Sequence, residues 1–179
     1  MISLIHKFDE FILLYIKNNI YGITVIDKSM IFITSLGNMG FIWIVISMLL
    51  LSNKKYRKVG IMTLAALILS SILGEGILKH LVHRMRPFYN MPTMNLLISK
   101  PLSYSFPSGH TASSFAAAGI LSKHLKNYNF VFFTMAFLIS FSRLYLGVHY
   151  PTDVLGGIIL GLICSKIITH IFNKLDYYR

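Results

Sequence analysis

Residues 130–172 read FVFFTMAFLISFSRLYLGVHYPTDVLGGIILGLICSKIITHIF, two apolar segments joined at Ser142-Arg143-Leu144-Tyr145-Leu146-Gly147-Val148-His149-Tyr150-Pro151-Thr152-Asp153. Phe130 to about Leu146 and Thr152 to about Phe172 each approach the roughly 20 residues with which a helix crosses a bilayer. A cation, a histidine and a carboxylate are costly in such surroundings unless they do chemistry. The stretch therefore predicts a helical membrane protein with a site where two spans meet.

Composition agrees. The 179 residues are 55% hydrophobic and 13% charged, with a mean hydropathy of +0.64, whereas soluble domains carry about 25% charged residues. The net charge of +11 does not indicate nucleic acid, which needs a soluble face of clustered Lys and Arg; here the cations separate apolar segments or flank candidate site residues. The single cysteine, Cys164, lies in an apolar run and reads as a small buried residue. Lys7, Asp9 and Glu10 interrupt what would be the apolar core of a cleaved signal peptide, so the first residues are expected to remain.

Working outward, Ser29 to Ser52, Val59 to about His80, and Pro107 to about Leu125 read as three further spans, making about five. Upstream, Leu4, Ile5, Phe8, Phe11, Ile12, Tyr15 and Ile16 recur at helical spacing, but the uninterrupted apolar run is too short to span. Residues 1–19 are thus expected to form an amphipathic helix in the membrane interface, packed on the domain, the membrane lipids its partner. The expected architecture is one all-α domain over residues 1–179, with its transmembrane core at 29–172. Gly157 and Gly161 have small-xxx-small spacing suited to close packing, as do the alanines of 112–118. The run Lys54-Lys55-Tyr56-Arg57-Lys58 marks a cytoplasmic loop. Alternation then gathers residues 79–110 and 143–153 on the extracytoplasmic face; Lys7, Lys17 and Lys28, also outside, weaken the charge bias.

Lys79, Arg86 and Arg143 fall on that face from three places in the sequence. Any one alone reads as a snorkelling side chain; converging, they call for an anion, and a phosphate fits both Arg forks and a Lys point charge. Pro107-Ser108-Gly109-His110 reads as a helix start, Ser108 at the N-cap and Gly109 allowing close approach, where free amides attract anions. His149 and Asp153 are four residues apart, which lets the carboxylate reach one imidazole nitrogen and leaves the other free to attack; the bland alternative is a capping Asp beside an interfacial His.

Three patterns together resemble the motifs of the type 2 phosphatidic acid phosphatase superfamily: Lys79, six residues, then Arg86-Pro87; Pro107-Ser108-Gly109-His110; and Ser142-Arg143, five residues, His149, three residues, Asp153. The resemblance implies a lipid phosphatase that uses no metal and no cofactor. In it His149 attacks phosphorus while held by Asp153, and His110 protonates the leaving oxygen and later activates water. Lys79, Arg86, Arg143, Ser108 and the Gly109 amide would hold the phosphate. Glu75, one turn before Lys79, is expected to position it. His80 and His83 read as interfacial polar residues, with Arg84 beside them adding positive potential. Met91, Met94, Leu96, Leu97 and Ile98 would either rest on the membrane or pack over the helices. Nothing is assigned to Trp43.

Among substrates, undecaprenyl diphosphate is the first expectation, because that carrier is released on the outer face. Phosphatidic acid or phosphatidylglycerophosphate is the alternative. A soluble haloperoxidase is disfavoured by the spans. A non-enzymatic transporter should show repeats or interrupted helices, and a scaffold should have lost a motif residue; neither feature is evident.

Overall fold

The computed structural model describes residues 2–91 and 96–177, with backbone alone for residues 2, 3, 176 and 177. Pro92 and Met94 lie outside them. The described residues are helical, with no strand. The helices are α1 (Ile2–Asn19), α2 (Thr24–Leu36), α3 (Phe41–Ser52), α4 (Arg57–Ser71), α5 (Lys79–Val82), α6 (Pro87–Asn90), α7 (Gly109–His124), α8 (Asn129–Tyr145) and α9 (Pro151–Tyr177). A π-helical stretch, Ile72–Leu78, carries α4 into α5.

Helix α7 is the axis of the bundle, packed against α4, α8 and α9. Its small side chains, Ala112, Ala116, Ala117 and Ala118, are buried and let neighbouring backbones come close. The Gly157/Gly161 spacing is where α9 meets it. A Cβ at Gly161 would strike the Ala112 carbonyl oxygen and approach the Ala116 nitrogen to 2.8 Å; at Gly157 it would come within 2.7 Å of the Ser108 carbonyl oxygen. Backbone cannot yield as a side chain can, so Gly161→Ala is expected to cost about 1–3 kcal/mol, read as a lower melting temperature in detergent. Trp43 has a place after all, buried against α7 with its indole nitrogen donating to Ser114 Oγ at 2.9 Å. Cys164 is buried, as expected.

Two helical stretches, Arg57–Asn90 and Pro151–Leu175, are long and apolar enough to cross a membrane. The predicted span from Ser29 to Ser52 is not a straight helix. It divides into α2 and a segment from Asn38 to Ser52 at an angle of 49°. Met39 (φ 50°) and Gly40 (φ 73°) adopt left-handed backbone there, and at Gly37 an added Cβ would come within 2.8 Å of the His110 ring. Gly37, Asn38 and Gly40, small or polar, thus mark a break in the span that admits a histidine from α7.

Helix α1 packs on the bundle through Leu13 and Ile16, while Leu4, Phe8, Phe11 and Tyr15 face outward. Its inward face also carries Asp9, fully buried. Met91 is buried, and Leu96, Leu97 and Ile98 pack on or beside Phe88, Tyr145, Leu146 and Val148, so this part of the loop lies over the helices.

Candidate active site

Local sequence explains where the cations come from. Helix α5 stops at His83, whose left-handed φ of 49° turns the chain. Pro87 opens α6 and holds Arg86 extended, with ψ 156°, so Arg86 points back across the bundle. Its Nη1 donates to the Val148 carbonyl at 2.7 Å and lies 3.2 Å from His149 Nε2. Its Nε donates to the Ser103 carbonyl at 2.7 Å. Lys79 Nζ bonds Ser103 Oγ at 2.9 Å and pairs with Glu75 Oε1 at 2.8 Å, as the i, i+4 spacing leads one to expect. Glu75 stands in the π-helical turn, a distortion often found at functional sites.

Arg143, in the last turn of α8, donates from Nη1 to Thr34 Oγ1 at 2.7 Å. Its Nε is buried and has no hydrogen-bond partner among the described residues. An orphaned donor on a buried guanidinium is costly, and Arg143 lines a cavity.

That cavity, of about 410 Å³, brings together Lys79, Arg86, Arg143, His110, His149 and Gly109. Glu75 lines it too, and a Cβ on Gly109 would meet its carboxylate oxygen. His110 Nε2 is 3.0 Å from Asn38 Oδ1, so the break between α2 and α3 supplies the group that fixes its ring.

Two predicted residues stand behind the cavity wall. Ser108 is the residue before α7, yet its hydroxyl makes no capping bond; it accepts one from Thr111 Oγ1 at 3.0 Å. Its amide donates to the Asp153 carbonyl at 3.0 Å, tying the start of α7 to the first turn of α9. Asp153 is fully buried beneath His149, with Oδ2 3.7 Å from Nδ1. That is ion-pair range rather than a hydrogen bond. Ser105 closes the gap: its hydroxyl donates to Asp153 Oδ2 at 2.5 Å and lies 3.5 Å from His149 Nδ1. The Tyr150 amide donates to the same carboxylate oxygen at 2.8 Å. Burial pushes the His149 imidazole down to about 3; Asp153 pulls the other way, while Arg86 and Arg143 push further down. The ring is therefore neutral near pH 7, with a lone pair available for attack.

The largest departure from expectation is Arg84. Instead of merely adding potential beside His83, it bridges two buried carboxylates, Asp153 Oδ1 and Asp9 Oδ2, each at 2.6 Å. Its guanidinium lies 4.1 Å from the centre of the Tyr150 ring. Asp9 also accepts the Thr152 amide at 3.0 Å and the Thr152 hydroxyl at 2.6 Å. The amino-terminal helix thus reaches the carboxylate under His149. Ser105, Thr34 and Ser103 likewise carry no signal in the sequence, being ordinary serine and threonine outside the motifs, and Gly37, Asn38 and Gly40 read there only as small or mildly polar residues tolerated within the first span.

A cavity with three cations around it and a neutral histidine on its wall is built to receive an anion. The chain belongs to the PAP2 superfamily, whose family model matches residues 55–177. It is 35% identical over 144 residues to an undecaprenyl-diphosphatase of Sulfolobus acidocaldarius, covering 80% of this chain and 69% of that one. It is 30% identical over 167 residues to phosphatidylglycerophosphatase B of Bacillus subtilis, covering 86% and 79%. The crystal structure of a transmembrane PAP2-type phosphatidylglycerolphosphate phosphatase from Bacillus subtilis superposes with a TM-score of 0.80 at 28% identity, covering 98% of this chain and 90% of that one. That of Aquifex aeolicus LpxE gives 0.77 at 30% identity, covering 91% and 95%.

Proposed function

We propose that the protein is a membrane lipid phosphatase that works without a metal through a phosphohistidine, and that undecaprenyl diphosphate is its substrate. The observation that carries the reading is the convergence of Lys79, Arg86 and Arg143 on one cavity that His110 and His149 also line: a phosphate is the anion that such a set of cations suits.

In this reading the His149 Nε2 lone pair forms the N–P bond as the bond from phosphorus to the leaving oxygen breaks. His110 gives that oxygen its proton. Water then attacks phosphorus, His110 takes a proton from it, the N–P bond breaks, and orthophosphate leaves with His149 neutral again. Lys79, Arg86, Arg143 and the Gly109 amide neutralise the equatorial oxygens, where phosphoryl transfer most needs help, while Ser108, its own amide spent on Asp153, holds the start of α7 in place. Asp153, Ser105, Arg84 and Asp9 keep the imidazole aimed. Among the described residues no three His, Cys, Asp or Glu side chains are arranged to hold a metal ion.

The whole chain forms one domain of about five spans, counting α7 and α8 with the two long apolar stretches and the bent α2–α3 pair. Helix α1 lies in the interface with its outward Leu4, Phe8 and Phe11 in lipid. In this reading the basic loop at Lys54–Lys58 is cytoplasmic and the cavity faces the extracytoplasmic side, where undecaprenyl diphosphate is released. Phosphatidylglycerophosphate is the second reading, favoured by the TM-score of 0.80 to a phosphatase named for it.

The test is purified protein in detergent given undecaprenyl diphosphate, phosphatidic acid and phosphatidylglycerophosphate, each with and without EDTA. Fastest release from undecaprenyl diphosphate, unchanged by EDTA, is expected. Preference for a glycerophospholipid would shift the substrate to the second reading. Loss on chelation would contradict the metal-free route, and no release from any lipid would favour a scaffold.

A further inference from the structure

Helices α8 and α9 both lie along α7 but scarcely meet each other. Toward the carboxyl end of α7 they leave a cleft of about 440 Å³. Gly109, at the candidate active site, and Lys123, in this cleft, are about 20 Å apart along α7, so the two cavities lie at opposite ends of the same helices.

The cleft is basic. Lys123, Lys166 and His170 line it, and among the described residues the two lysines form no ion pair. The segments 54–58, 119–129 and 162–174 contain no Asp or Glu.

It also holds unused hydroxyls. Elsewhere in the bundle Ser47, Thr63 and Ser140 donate to the carbonyl four residues back, at 2.7, 2.8 and 2.7 Å, the usual resort of a hydroxyl inside a membrane helix. Ser165 and Thr169 are only 5% exposed and make no hydrogen bond within the described residues, and both open onto the cleft. Gly119 faces them from α7: a Cβ there would run into Ser165 Oγ.

The surroundings are apolar. Phe133 and Leu162 line the same cleft, and Phe137, Ile163 and Ile167 are exposed on the outer faces of α8 and α9. A soluble anion has no use for such a border, whereas an acyl chain does. We propose that this cleft binds the phosphate headgroup of an anionic phospholipid from the leaflet opposite the candidate active site. Lys123 and Lys166 supply charge, Ser165 and Thr169 donate to phosphate oxygens, and the tails lie along α8 and α9. Basic pockets between membrane helices suit such headgroups.

The proposal does not depend on the catalytic assignment, because its test reads binding. Protein in neutral detergent is titrated with dioctanoyl phosphatidylglycerol, dioctanoyl phosphatidylcholine or inorganic phosphate, with retained lipid followed by native mass spectrometry and stability by melting temperature. Phosphatidylglycerol is expected to be retained and to raise the melting temperature in the wild type and in Arg143→Gln, while phosphatidylcholine does neither. Lys123→Gln/Lys166→Gln should bind it about 10- to 30-fold more weakly, Lys123→Arg/Lys166→Arg should bind as the wild type does, and Ser165→Val should weaken binding with both lysines in place. Unchanged affinity in the Lys→Gln variant, equal retention of phosphatidylcholine, or loss of binding in Arg143→Gln would each overturn the proposal. Inorganic phosphate protecting through Lys123 and Lys166 as well as the lipid does would replace the lipid by a soluble anion and overturn it too.

Discussion

His149→Ala protein is expected to insert, fold and release no measurable phosphate, a fall of about 10⁴- to 10⁶-fold, in the range seen when a nucleophile is removed. The folded frame should survive, because the cations do not depend on the ring. Arg86 keeps its bonds to Val148 and Ser103, and Arg143 keeps Thr34. Asp153→Asn separates aiming from attack. The amide oxygen can still accept from Ser105 and Tyr150, but the negative charge beside the imidazole is gone, so the rate should drop about 10²- to 10⁴-fold in protein that still melts cooperatively. Rapid-quench trapping of an acid-labile, base-stable phosphoprotein in the wild type, absent from His149→Ala, is the direct assay. Ordinary turnover in either variant would remove His149 from the centre of the mechanism.

Arg84→Met is the second large effect, and it acts on stability as well as rate. Arg84 is the shared cation of two fully buried carboxylates, Asp9 and Asp153. Removing one member of a buried ion cluster leaves uncompensated charge and costs about 3–5 kcal/mol, so the variant should melt well below the wild type. Asp9→Asn added to Arg84→Met removes one of the stranded charges and should restore part of the lost stability. Activity should not return with it, because Asp153 then lacks its cation and His149 its fixed orientation. Stability and activity recovering together would mean that Arg84 serves only the fold. An additive double variant would deny the coupling between α1 and Asp153 altogether.

The motif residues were legible because each sits at or beside a helix end whose local grammar shows in the sequence. Pro87 after Arg86, Pro107 and Gly109 around Ser108, and Pro151 before Asp153 each mark a boundary, and helix ends are where polar groups can be held at membrane depth. Gly157 and Gly161 were legible for the same local reason. The partners were not. Asp9 looks like a charge on the wet side of an amphipathic helix, and its burial follows from Arg84 and Thr152 far along the chain. The break at residues 37–40 reads as tolerated small residues until His110, from another helix, needs the space. Ser105 and Thr34 belong to the commonest polar types and acquire meaning only through Asp153 and Arg143. Periodicity reports which face of a helix is apolar, not which distant group will meet the exception.

The contact between Asp9 and Thr152 joins residues 143 positions apart. During synthesis, a chain that has delivered α1 through α8 already contains Asp9, Arg84, His110 and Arg143, yet the carboxylate that Arg84 awaits belongs to α9. The reactive centre has no partly made version. Until α9 packs its glycines against α7, Arg84 lacks one of its two carboxylates and the His149 imidazole lacks the group expected to aim it, so joining these two helices is as much a part of assembling the cavity as gathering its cations.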